Sequence, residues 1–102
     1  MAGVGKLLKQ AQKMQKKIEA LEAELAERTI EVSSGGGAIT ITVTVSGDIK
    51  AIQLDPEFLQ EDKSFVEETL ATGVQDAIEA ARAAKEEAMN EVTSGMQMPG
   101  LF

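Results

Sequence analysis

The stretch Ala38-Ile39-Thr40-Ile41-Thr42-Val43-Thr44-Val45-Ser46 decides the fold, because it alternates aliphatic and hydroxyl side chains without a break. Successive side chains of a strand point to opposite faces, so this segment reads as a half-buried β-strand with Ile39, Ile41, Val43 and Val45 on its inner side. Gly47-Asp48 follows, and a glycine first in a two-residue hairpin loop supplies the positive φ that such a loop demands. That loop sets Val45 opposite Lys50, Val43 opposite Ile52 and Ile41 opposite Leu54. Aliphatic residues then gather on one sheet face with only Lys50 among them. Such a face has to be covered, and a helix is the expected cover.

Upstream, Thr29-Ile30-Glu31-Val32 reads as a short strand ended by Ser33-Ser34 and Gly35-Gly36-Gly37. The three glycines are read as a turn rather than a phosphate cradle, since no Gly-Lys-Ser/Thr follows and no helix opens there. Downstream, Asp55-Pro56 places an acid at a helix cap and proline in the first turn of a short segment through Gln60. From Ser64 to about Thr93 a long helix carries Val66, Leu70, Val74, Ala77, Ile78, Ala81, Ala88, Met89 and Val92 on one apolar stripe, the expected sheet cover. Gly73, at about 1 kcal/mol against alanine in a helix, marks a place where another backbone comes close. The alanine-rich part, 77–88, suits close packing against the first helix of the same or another subunit. Arg82 has Glu79 and Glu86 at helical spacing and is expected to be paired with them. Gly95 is expected to stop this helix, leaving a flexible tail at 96–102 with partner docking as the sharper alternative.

The segment 6–28 carries two patterns on one helix. Leu7, Ala11, Met14, Ile18, Leu21 and Leu25 form a narrow apolar seam for dimer or helix packing. Lys6, Lys9, Lys13 and Lys16 run along the opposite face with Lys17 beside them, and no acid occurs before Glu19. Bases at the start of a helix oppose its macrodipole, and like charges three and four residues apart repel. No gain inside the helix offsets this arrangement, and its natural complement is a row of phosphates. The plain alternative is a solvated lysine face. A helix of this length is expected to project from the body as an arm.

Composition narrows the function. A chain of 102 residues is read as one domain, 1–102, small enough that association would help it. It has no histidine and no cysteine, which removes the commonest general base, disulfides and nearly all zinc chemistry, so neither enzyme nor metal site is expected. No cofactor is expected either. No apolar run approaches the roughly 20 residues of a membrane span and no signal-peptide core opens the chain, so a cytoplasmic location without membrane contact is expected. Net charge is −7, unevenly spread: residues 1–17 hold five lysines and no acid, while five bases face all 17 acids in the remainder. Screening over about 8 Å at physiological salt lets a ligand on the lysine row escape the distant acids.

The Leu8-Lys9-Gln10-Ala11-Gln12-Lys13-Met14-Gln15 opening, the glycine turn into an alternating strand, Ile52-Gln53-Leu54-Asp55-Pro56, Ser94-Gly95-Met96 and Pro99-Gly100 together resemble the YbaB/EbfC family of nucleoid-associated proteins, over essentially the whole chain. The resemblance implies an α+β fold: an N-terminal helix, a three-stranded antiparallel sheet, then a short helix and a long C-terminal helix. It also implies a tweezers-like homodimer whose helical arms bind DNA, at the nucleoid. Lys9 and Lys13 fall within the matching opening, with Lys6, Lys16 and Lys17 on the same segment. Duplex DNA held through its phosphates is the expected partner, with self-association and contacts to other nucleoid or repair proteins. The rival reading is a dimeric protein–protein adaptor that uses its arms without DNA.

Overall fold

The computed structural model describes residues 2–96. Helix α1 (Ala2–Glu27) leads into strand β1 (Thr29–Ser34) and a tight Gly35–Gly37 turn. Strands β2 (Ile39–Thr44) and β3 (Ile49–Leu54), a 3-10 turn at Phe58–Gln60 and helix α2 (Lys63–Met96) follow. The strands form one antiparallel sheet in the order β1-β2-β3, so the expected α+β architecture is the observed one. Both long helices exceed expectation: α1 starts at Ala2, and α2 passes Gly95 to reach Met96. The rest of the expected tail, 97–102, lies outside the described residues. No helix among the described residues is long and apolar enough to cross a membrane.

The alternation of β2 does what its period dictates: Ile39, Ile41 and Val43 are fully buried under α2. Ile30, Val32 and Leu54 flank them from the neighbouring strands, and Val66, Leu70, Val74, Ala77 and Ala81 descend from the helix. Asp55 opens the 3-10 region as its sequence suggests, accepting a bond from the Glu57 N–H on Oδ1 at 3.3 Å. Phe58 is buried there, edge-on to Phe65 with ring centroids 6.0 Å apart.

The β2–β3 register differs from expectation. Ile41 lies opposite Ile52 and Ile39 opposite Leu54, a shift of two residues that leaves every side chain on its expected face. Nearer the turn, Thr42 pairs with Ala51 but Val43 pairs with Ile49, so Lys50 is the extra residue of a β-bulge rather than the partner of Val45. The cause lies at Val45. Its N–H donates to the Arg28 carbonyl at 2.9 Å, and its side chain is buried against Leu25 and Ala88, so it is drawn out of the hairpin toward α1. The turn therefore closes one residue earlier, at Thr44. The Thr44 N–H donates to the Asp48 carbonyl at 2.8 Å, the Gly47 N–H donates to the Thr44 carbonyl at 2.9 Å, and the Asp48 N–H donates to Thr44 Oγ1 at 2.9 Å. Gly47 supplies the positive φ, 103°.

The course of α2 is fixed by its contacts. Thr69 sits over Gly35, and Gly73 is so close to the sheet that a Cβ there would lie 3.3 Å from Ser34 Cβ and 3.4 Å from Ile41 Cδ1. The close neighbours of Gly73 are thus side chains of β1 and β2 rather than another backbone. Farther along, Ile78 and Ala81 face Val45 to Gly47, and Ala84 and Ala88 reach Leu21 and Leu25. Helix α2 therefore runs from the Gly35 end of the sheet to its Val45 end and on beside α1, opposite to it in direction. The molecule measures 70 × 24 × 16 Å with a radius of gyration of 19.9 Å, where a compact chain of this length would have about 13 Å.

Candidate nucleic-acid interface

The arm is α1, whose 26 residues make a rod of about 39 Å. It joins the body through Arg28 alone, yet the joint is held on both sides. The Arg28 N–H donates to the Glu24 carbonyl at 3.0 Å, continuing the helical pattern, while its own carbonyl accepts from Val45. Leu25 is buried against Val45 and Ala88, with Leu21 and Ala84 packed beside them. The root of the arm is part of a core.

Along the seam, coverage fades outward. Leu25 is buried, Leu21, Ile18 and Met14 are half-buried, and Ala11 and Leu7 are exposed. The structure thus brings Leu21 and Leu25 into packing within the chain and leaves Leu7 and Ala11 in the open. On the other face, Lys6, Lys9, Lys13, Lys16 and Lys17 are all exposed. They extend over about 16 Å of helix. No ion pair among the described residues ties down Lys6, Lys9, Lys13 or Lys16. The first turn of α1 contains no acid and the last no base, so the helix-dipole mismatch read from sequence is present in the folded chain.

Acids occupy the other long element. Glu86, Glu87 and Glu91, with Ala83, Asn90 and Ser94, line an open groove on the distal part of α2. One pair of cations escaped the sequence reading. Arg82 is not paired with Glu79 or Glu86; the Glu79 carboxylate instead accepts from Gln75 Nε2 at 3.4 Å. Arg82 and Lys85 line a hollow of about 280 Å³ with Ser46 and Gly47 of the β2–β3 turn. Spacing along one helix suggested an internal pair, and only the path of α2 beneath the turn shows where the guanidinium goes.

The profile of the YbaB/EbfC DNA-binding family matches residues 1–96. The chain belongs to that family. A YbaB/EbfC relative from Beijerinckia indica subsp. indica, named a nucleoid-associated protein, is 45% identical over 94 residues, covering 91% of this chain and 93% of that one. The fold is also similar to the crystal structure of an uncharacterized protein from Helicobacter pylori, with a TM-score of 0.72 over 90% of this chain and 96% of the other at 24% identity. These matches span the arm, the sheet and α2 together, so the YbaB/EbfC assignment embraces the lysine row as well as the body.

Proposed function

We infer that this YbaB/EbfC chain is a nucleoid-associated protein that binds duplex DNA as a homodimer, mainly through phosphates held by the lysines of its two arms, and performs no chemistry. The observation that carries the reading is the exposed row Lys6, Lys9, Lys13, Lys16 and Lys17 on a projecting helix. An ammonium is a strongly hydrated point charge suited to phosphate contact, and a row without arginine favours the backbone over bidentate base recognition. Gln10, Gln12 and Gln15 add at most occasional base contacts.

Dimerisation has an apolar surface to draw on. Helix α2 packs on β1 and β2, and Ile52 of β3 stays 43% exposed on the inner side of the sheet. Leu59 and Phe65, in the segments that follow β3, are 57% and 51% exposed. A second copy covering this region would remove apolar surface from water while leaving both arms outside.

The test is titration of a random-sequence duplex across a salt series, with light scattering on the protein alone. Eight to ten neutralised phosphates would give a slope of log affinity against log salt of about −7 to −9. A dimer that binds nothing even at low salt would overturn the phosphate reading and leave the adaptor, which the exposed Leu7 and Leu8 at the arm's outer end would then serve.

A further inference from the structure

The seam of the arm is uncovered beyond a definite level. Val4, Leu7 and Leu8 are 51%, 64% and 58% exposed, and Ala11 is exposed, whereas Met14 and Ile18 are half-buried. The boundary follows from where α2 stops. That helix passes Leu21 and Leu25 at Ala88 and ends at Met96. The intervening residues carry it about 12 Å farther outward, to the level of Met14. From there the apolar seam continues for about 15 Å, to Val4. A shallow groove lined by Ala11, Met14 and Ile18 lies along this part of α1.

The chain that leaves α2 at that level is Gln97-Met98-Pro99-Gly100-Leu101-Phe102. It carries large apolar side chains and no charge. Pro99-Gly100 disfavours continuation of the helix. Extended, these residues span at most about 20 Å, enough to follow the open seam to its end. We propose that residues 97–102 lie along the arm of their own chain, with Met98, Leu101 and Phe102 over Ala11, Leu8, Leu7 and Val4. The tail would then continue the covering that α2 begins. A second copy's arm is the competing occupant, but it would bring another row of five lysines alongside the first, whereas 97–102 brings no charge to repel. The lysine row faces away from the seam, so a docked tail leaves it open. The inference therefore stands whether or not the partner of that row is DNA.

The chain contains no cysteine, so Gly100→Cys gives a single site for a nitroxide in the full-length protein. The isotope-labelled, nitroxide-bearing chain is diluted into excess unlabelled protein, so that only contacts within one chain are read. The expected result is loss of amide signal for residues 4–11, with the signals of β1 and β3 intact, and recovery when Leu7→Gln and Leu8→Gln are added. Those substitutions fall on exposed positions and leave the fold in place. Unchanged arm signals in the diluted sample overturn the proposal, as does a loss that persists in the glutamine variant. Loss seen only when the nitroxide and the isotope are on different chains assigns the tail to the neighbouring copy and overturns it equally.

Discussion

Gly35 and Gly36 share nearly the same backbone, φ 62° and 67°, yet differ in what surrounds them. A Cβ on Gly35 would stand 2.8 Å from Thr69 Cγ2, whereas one on Gly36 would meet nothing within 4 Å. Gly36→Ala should therefore carry only the penalty of an L-residue at positive φ, about 1–2 kcal/mol, and Gly35→Ala that penalty plus a clash. Thr69→Ser removes the obstructing methyl and keeps the hydroxyl that donates to the Phe65 carbonyl at 2.7 Å. Urea unfolding is expected to rank Gly35→Ala as the worse single variant, and to bring its cost down to that of Gly36→Ala in the Thr69→Ser background. Equal losses in the two single variants would place α2 farther from the turn than the structure does. The lysines give a prediction of the opposite kind. Changing Lys9, Lys13 and Lys16 to glutamine should abolish DNA binding at physiological salt and flatten the salt slope of a dimer by about 5, through six lost phosphate contacts. Dimerisation should persist, and the unfolding midpoint should hold or rise, because Lys9 with Lys13 and Lys13 with Lys16 no longer repel.

The helix α1 is core at one end and open at the other, and its variants should divide accordingly. Leu25→Ala removes a fully enclosed side chain and is expected to cost about 2–5 kcal/mol in denaturant unfolding. Leu7→Ala, on the exposed part, should stay within about 0.5 kcal/mol. Comparable losses at both positions would mean that the outer seam is covered as firmly as the inner one. The sequence could announce the helix, since a repeat of three and four is a local signal, and it announced β2 for the same reason at period two. It could not announce which half of the seam α2 would take, because that depends on where a second helix crosses a joint at Arg28. The β2–β3 register was misjudged for the same physical reason. Gly47-Asp48 carries the local marks of a two-residue loop, but Val45 is claimed by Arg28, Leu25 and Ala88, and contacts between distant segments outweigh the turn. The lysine row needed no such long-range knowledge. The release of Arg82 from its expected pair did, as the space beside the β2–β3 turn exists only after α2 has docked.

At the scale of the molecule, a 70 Å body carries its bases toward one end and most of its acids elsewhere. If the uncovered side of β3 joins two copies, Ile52→Glu should give a folded monomer by sedimentation, since this side chain is already 43% exposed in the single chain. The monomer should bind duplex through one arm, with a salt slope of about −4 in place of −7 to −9. A variant that stays dimeric would move the interface to another face. The bulge at Lys50 bears on a different kind of assembly. An outermost strand with a straight row of free amides and carbonyls is a template on which further chains can stack into fibrils. Here the spare residue bends that rail, breaks its repeat and sets a charged side chain in solvent beside the break. A molecule with an open-edged sheet is thereby guarded against runaway polymerisation at high concentration.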